Sequence, residues 1–239
     1  GCPGAAGGAQ SLPDALVRRL LERGGRVECG VRVTEIDVRG GRAVAVTAAD
    51  GTRFDARRAV LADVGAPALY SHLVAAEHLP ARLLEDVRRF EYGSGTVKVD
   101  WALDGPIPWL DPEVGRAGTV HLADSLDELS EMSTQLTRGL LPSRPFLVMG
   151  QMTTADPSRS PAGTEAAWAY THVPRSVAGD AGEDDLAGRW DEGETERFVA
   201  RMEARIERMA PGFGDRILAR HGFTPPTFAA ANANLVGGE

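Results

Sequence analysis

Leu20-Leu21-Glu22-Arg23-Gly24-Gly25-Arg26-Val27-Glu28-Cys29-Gly30-Val31-Arg32-Val33-Thr34-Glu35-Ile36 changes its hydrophobic period at the glycine pair. Before it, Leu12, Ala15, Leu16, Leu20 and Leu21 recur at helical spacing, with Arg18, Arg19, Glu22 and Arg23 on the opposite side. Ser11 or Asp14 can cap that helix, Pro13 suits its first turn, and Gly24-Gly25 ends it. After the pair the period is two, and Arg26–Cys29, Val31–Val38, Arg42–Thr47 and Ala59–Val64 read as strands. Gly40-Gly41 and Asp50-Gly51 are tight-turn signals between them. The last of these strands, Ala59-Val60-Leu61-Ala62, is apolar on both sides, which is the pattern of a strand covered on both faces in a parallel sheet. Helix, strand, antiparallel meander and buried strand together predict an α/β fold.

Beyond Gly65-Ala66-Pro67 the pattern changes, and a domain boundary is expected near Pro67, with a weaker one near Phe223. Ala68–Val74, Pro80–Phe90 and Leu126–Thr137 are expected helices. Thr96–Leu103 alternates cleanly, with Val97, Val99, Trp101 and Leu103 on one side and Lys98, Asp100 and Ala102 on the other. Gly118–Leu122, Phe146–Gln151 and Ala166–Thr171 are further strands. Gly179–Gly188, with its acidic run Glu183–Asp185, reads as a solvated loop, and Glu194–Ala210 as a helix carrying a Phe198, Met202, Ile206, Met209 stripe and stopped by Pro211-Gly212.

Composition narrows the class. Hydrophobic residues at 43% and charged residues at 25% of 239 are those of a globular protein able to bury a core. A net charge of -8 disfavours nucleic acid and anionic membrane as main partners. No apolar run approaches a membrane span. Cys2 and Cys29 form no metal-ligand or disulfide pattern and read as free thiols in a reducing cytoplasm; His72, His78, His172 and His221 share no spacing of a metal site or triad. The chain opens without Met at Gly1-Cys2-Pro3-Gly4 and stops at Gly237-Gly238-Glu239, so it is expected to be an internal piece of a longer protein.

The stretch from Gly25 to Ile36, continued by Gly41-Arg42-Ala43-Val44-Ala45-Val46, Asp50-Gly51 and Ala59-Val60-Leu61-Ala62-Asp63, resembles the inner part of two-dinucleotide-fold flavoproteins of the phytoene desaturase and amine oxidase superfamily. Gly95-Thr96-Val97-Lys98-Val99-Asp100-Trp101-Ala102-Leu103 with Pro106 and Trp109 is similar to that family's substrate-domain strand. Ile206-Glu207-Arg208-Met209-Ala210-Pro211-Gly212-Phe213 and Asn234-Leu235-Val236-Gly237-Gly238 match its phytoene dehydrogenase-like subgroup. Each segment is a weak motif, and their order carries the resemblance. The family's G-x-G-x-x-G turn, which holds the pyrophosphate at a helix N-terminus, does not occur in these 239 residues.

The resemblance implies a fold of partial FAD-binding (Rossmann-like) domain with β-meander plus an α+β substrate domain. On that scheme residues 1–67 belong to the FAD-binding domain, 68–222 to the substrate domain and 223–239 to a return into the first. It implies FAD as cofactor and hydride transfer from an apolar substrate, polyene-like or amine. A relative that carries prenylated or lipid ligands without redox chemistry is the alternative, and membrane contact to collect such a ligand stays open. Val33 matches the backbone position that meets the adenine, or is a plain core strand residue. Ala62 and Asp63 follow the expected buried strand at the end where open sheets place ligands, or Asp63 closes the turn at Gly65. Gly8 and Gln10 lie in the helix-entry loop, Gly8 matching a cofactor contact and Gln10 reaching the substrate side, or simply leading into the helix.

Lys98 is the sharpest candidate. Of 26 basic residues 25 are Arg, so a lone Lys marks a place where Arg does not serve. It matches the lysine that holds a water beside the flavin in the amine oxidase branch; the other reading is the solvated face of an amphipathic strand. Trp101, with Trp109 and Trp168, is expected in the substrate cavity or in the core. His121 reads as a structural histidine rather than a general base.

Overall fold

The computed structural model describes residues 7–239 and forms two compact units, residues 17–92 and residues 7–16 with 93–239.

In the smaller unit the meander forms as the turn signals demand. β1 (Val33–Arg39) pairs antiparallel with β2 (Arg42–Ala48), and β2 with the short β3 (Arg53–Asp55). Gly40 and Gly41, at φ of 56° and 74°, make the two-residue turn, which asks for left-handed backbone at both positions. Ile36, Ala45 and Ala48 are its buried residues, and Asp37 on β1 is paired with Arg53 on β3. After a three-residue turn, α2 (Ala66–Ala68), the chain widens into a π-helical turn at Leu69–Leu73 before α3 (Ala81–Arg88). A π-turn carries five-residue spacing, so the expected regular helix over 68–74 is replaced by a bulged one.

Two expected strands do not form. Residues 26–29 and 59–64 have no strand partner among the described residues. Leu61 is 95% exposed, and Ala62 and Asp63 are exposed beside it. An apolar run becomes a strand only where a neighbour accepts its backbone hydrogen bonds. The helix α1 (Ser11–Glu22) forms where its period places it, yet Leu12, Leu16, Leu20 and Leu21 all stay exposed.

The larger unit follows the sequence closely. β4 (Gly95–Leu103), β5 (Thr119–Leu122), β7 (Leu147–Gln151), β8 (Glu165–Val173) and β10 (Ile217–Phe223) form one antiparallel sheet in the order β10-β4-β8-β7-β5. α4 (Leu126–Thr137) lies between β5 and the short β6 (Leu140–Leu141); α5 (Met152–Ala155) links β7 to β8, and β9 (Gly179–Asp180) pairs with β6. α6 (Glu192–Met209) precedes β10, and α7 (Pro225–Ala231) follows it.

One face of the sheet is closed. Val97, Val99, Trp101 and Leu103 of β4, Ala167, Ala169 and Val173 of β8, and Leu147 and Met149 of β7 form a single core with Phe198, Val199, Met202 and Ile206 of α6 and with Phe213. Each large apolar side chain so buried contributes about 1.5–3 kcal/mol relative to exposure. Strand period two supplies one wall of this core and helix period 3.6 the other.

Ion pairs pin the surrounding loops to α6. Arg201 donates to Asp180 at 2.7 and 2.8 Å, to Asp184 at 2.6 and 3.0 Å, and to the carbonyl of Pro142 at 2.9 Å. The acidic stretch expected as a plain solvated loop is thus tied down through Asp180 and Asp184. Arg205 pairs with Asp124 and Glu128, and Arg208 with Asp124. At the helix start the Asp191 side chain caps Glu194, whose own carboxylate accepts the N–H groups of Ala187, Arg189 and Trp190.

Burial alone pushes the Asp180 carboxyl up, but the Arg201 guanidinium and the N–H groups of Gly182 and Leu186 outweigh it and hold Asp180 below the usual carboxylate range. A depressed folded pKa gives stability that is present above the unfolded value of about 3.9 and lost as pH falls through the folded one. Denaturant titrations across pH should therefore show the protein weakening below about pH 4, with Asp180→Asn less stable at pH 7 and flatter through that acid window. Phe198→Ala should cost about 3–5 kcal/mol in the same assay, and Leu61→Ser less than about 0.5 kcal/mol.

Candidate functional site

Among the described residues the second face of the large sheet carries no buried core, and it presents Lys98. Strand pairing sorts its residues into rows. Phe223 of β10, Lys98 of β4, Tyr170 of β8 and Val148 of β7 lie across from one another in one row. In the next row His221, Asp100, Trp168 and Gly150 do the same, and His172 pairs with Thr96 beyond the first row. All of these side chains are half-buried or exposed except Gly150, which is buried beneath Trp168.

Lys98 is held on this face from two sides. Its ammonium pairs with Asp100, two residues along the same strand, and stands 5.2 Å from the centre of the Phe223 ring. Phe223 in turn stacks on Phe228 of α7 with ring centres 5.6 Å apart, and His221 sets its ring edge-on at 4.6 Å. On the other flank Trp168 and Tyr170 stack at 6.0 Å with planes 14° apart, and Tyr170 meets His172 edge-on at 5.7 Å. The solvated-face reading of Lys98 and the site reading thus concern one surface: the lysine is 29% exposed, beside the Phe223 ring and opposite Tyr170 in register.

Of its two readings, substrate cavity or core, Trp101 occupies the core. It points to the opposite face of β4 from Lys98, is 3% exposed, donates from Nε1 to Glu203 at 2.8 Å and packs edge-on against Phe213. Odd and even residues of a strand face apart, so Lys98 and Trp101 cannot share a cavity wall. Trp109 donates to the buried Gln151, while Trp168 lies on the open face. His121 is exposed on β5 with its ring against Phe146. Asp100, Tyr170, His172, His221 and Phe223 escaped the sequence reading; the alternation of Trp168, Tyr170 and His172 with Ala167, Ala169 and Thr171 was its visible trace.

The helix-entry loop belongs to the same unit. Gly7 donates its N–H to Asp156 at 2.8 Å, and Gly8 is buried at a φ of 99° with the Arg159 guanidinium packed where a Cβ would project. Gln10 is exposed and donates to Asp14 at 2.9 Å. The remaining candidates are in the smaller unit: Val33 is half-buried at the start of β1, opposite Ala48, and Ala62 and Asp63 are on the exposed segment. Cys29 is a free, exposed thiol, and Cys2 lies outside the described residues. No cluster of metal-ligating side chains occurs among the described residues, and none of their helices is long and apolar enough to cross a membrane.

The larger unit is thus an antiparallel sheet with α6 packed on one face and the Lys98 ammonium beside the Phe223 ring on the other. The chain belongs to the flavin containing amine oxidoreductase family, whose match runs over residues 3–206. It is 27% identical over 232 residues to a mouse protein described as pyridine nucleotide-disulfide oxidoreductase domain-containing protein 2, covering 92% of this chain and 38% of that protein. It is also 27% identical to the neurosporene-forming phytoene desaturase of Rhodobacter capsulatus, over 94% of this chain and 41% of the relative. Among solved structures it is similar to a putrescine oxidase bound to putrescine, with a TM-score of 0.58, 18% identity, and 98% of this chain matched to 41% of that one. An oxidoreductase from Methanosarcina mazei matches with a TM-score of 0.57 at 18% identity, over 92% of this chain and 43% of that one. The chain thus spans about two fifths of the length of these relatives. The expected family and mixed α/β class are borne out, and flavin, read from the sequence as FAD, is the redox group of the family.

The open face fits one end of such a group. A fixed ammonium suits a ring that gains negative charge on reduction, and flat side chains suit a planar partner. The turn that would hold a pyrophosphate is not among the 239 residues. Gly8→Ala would force a side chain into left-handed backbone against Arg159 and should destabilise the larger unit by about 1–3 kcal/mol. Hydrogen exchange should show the loss first at residues 7–11.

Proposed function

We propose that the chain is the middle part of an FAD-dependent oxidoreductase that takes a hydride from an apolar substrate, in the manner of a desaturase or dehydrogenase. The observation that carries this reading is the sole lysine of the chain standing on the open sheet face between Tyr170 and Phe223. When bound, the flavin supplies the hydride acceptor. The protein's own part is to lay the substrate on the sheet, to exclude water with the rings, and to hold a proton-bearing ammonium at Lys98 Nζ. Asp100 pairs with that ammonium and fixes its direction.

In this reading residues 1–67 contribute to the FAD-binding domain, 68–222 form the substrate domain and 223–239 lead back to the first. Val33 meets the adenine through its backbone, Ala62, Asp63 and Gly8 line the cofactor side, and Gln10 reaches the substrate. The protein acts in the cytoplasm on a small apolar substrate, with no nucleic-acid partner.

Two measurements test it. The purified complete protein should show a two-banded flavin spectrum in the visible, released on denaturation; a colourless protein that does not take up added FAD fits the lipid-carrying alternative instead. In the flavin-loaded enzyme Lys98→Met should slow flavin reduction or reoxidation by about 10²–10⁴-fold, the range of a positioned proton-handling group. Unchanged rates for both half-reactions would remove Lys98 from the mechanism.

A further inference from the structure

Asp156 joins two parts of the larger unit that lie 149 positions apart in sequence. It caps the 3₁₀ turn Pro157–Arg159, and its Oδ1 accepts the N–H and the hydroxyl of Ser158 at 3.1 and 2.8 Å. Such a turn needs a single acceptor oxygen, and an asparagine would supply it as well. The second oxygen is what a carboxylate adds. Here Oδ2 accepts the N–H of Gly7 at 2.8 Å, in the loop that leads into α1. The Gly7 N–H, and after it the Ser158 hydroxyl and N–H, hold the Asp156 carboxyl below the usual carboxylate range.

Arg159 ends the same turn, with its N–H on the Asp156 carbonyl at 3.0 Å, and lays its guanidinium against Gly8. A Cβ at Gly8 would stand 3.0 to 3.5 Å from the guanidinium atoms. Gly7 and Gly8 have φ of 78° and 99°, backbone that glycine adopts without strain. The Gly8 carbonyl then accepts the N–H and the hydroxyl of Ser11 at 3.2 and 2.8 Å, which starts α1. Asp156 and Arg159 thus hold the loop at two successive residues.

The turn that carries them is itself fixed to the sheet. Glu165, 3% exposed at the head of β8, accepts the N–H groups of Thr153 and Thr154 at 2.6 and 3.2 Å and the Thr154 hydroxyl at 3.0 Å. A buried carboxylate is tolerated because donors take up both oxygens. The Thr153 hydroxyl meets that of Ser160 at 2.7 Å and accepts the Ala166 N–H at 3.0 Å. Further along the same strand, Tyr170 lies across from Lys98. One strand therefore sets the surroundings of Lys98 and, through residues 152–160, the course of the loop before α1.

We infer that Asp156 and Arg159 are positioning residues, which set the Gly7–Gln10 loop and through it hold Gly8 against the flavin. This rests on the reading of Gly8 as a cofactor-side residue. Asp156 acts by directing the Gly7 N–H, and Arg159 by closing the space behind Gly8.

The test uses the purified complete protein, stripped of flavin and titrated with FAD. Asp156→Asn keeps one oxygen for the Ser158 turn and presents its NH₂ group to the Gly7 N–H, donor against donor. The melting temperature of the flavin-free protein should stay unchanged, while hydrogen exchange at residues 7–11 quickens. The FAD Kd should rise about tenfold, the scale of one charge-assisted hydrogen bond. The visible bands of the bound flavin should shift toward those of free FAD. A residue that only held its own turn together would leave both flavin readouts unmoved in this variant. Arg159→Ala should weaken FAD by a similar factor, and Arg159→Lys, which keeps the aliphatic stem without the planar end, should fall between it and wild type. If Asp156→Asn does not fold, the two Arg159 variants carry the same test. Wild-type FAD affinity and spectrum in Asp156→Asn and Arg159→Ala would overturn the inference and leave the flavoenzyme reading intact. A wild-type protein that takes up no FAD would overturn the flavoenzyme reading itself, and the role assigned to the loop with it.

Discussion

The packing of α6 onto the inner face of the large sheet is the constraint from which the rest of the larger unit follows. Phe198, Val199, Met202 and Ile206 fill the hollow above Val97, Val99, Trp101 and Leu103, and that contact decides which face of β4 is inside. Because side chains alternate along a strand, burying the odd residues of β4 obliges Lys98 and Asp100 to face outward. A slip of one residue would bury the ammonium and expose Trp101, at a cost no local interaction could offset. The site and the core are two sides of one register.

The same helix organises the polar shell. Arg201, Arg205 and Arg208 lie along α6 and collect Asp180, Asp184, Asp124 and Glu128 from separate loops. The arrangement suits guanidinium, which engages several oxygens at once, and it gives a use to the arginine bias of the chain. Lys98 is the exception among the basic residues, an ammonium paired with Asp100 and standing over the Phe223 ring.

Family membership and the open face complement each other. Membership supplies the flavin, while the identity of 27% to two relatives of quite different description leaves the substrate undetermined. The open sheet face adds the local geometry: Lys98 pairs with Asp100 beside Phe223, and Trp168 lies over Gly150.

Elements whose stabilising partners are close in sequence were legible without a structure. The Gly40-Gly41 turn joins strands that are each other's neighbours, and the Phe198, Met202, Ile206 stripe is carried by a single helix, so local pattern sufficed. The alternation of Thr96–Leu103 was likewise plain, and with it the separation of Lys98 from Trp101 into opposite faces. Residues 59–64 show the limit: an apolar run is compatible with a buried strand, but pairing depends on a neighbour that composition does not name, and Leu61 stands exposed. The site shows it too. Phe223 and Tyr170 come to Lys98 from positions far along the chain, and Gly150 comes to lie beneath Trp168, only because the sheet order β10-β4-β8-β7-β5 brings these strands side by side. By itself the sequence determined which residues could share a face of one strand or helix. Which faces meet, which one stays open and what assembles around the lysine were decided by tertiary structure, because strand order is a long-range choice made by core packing.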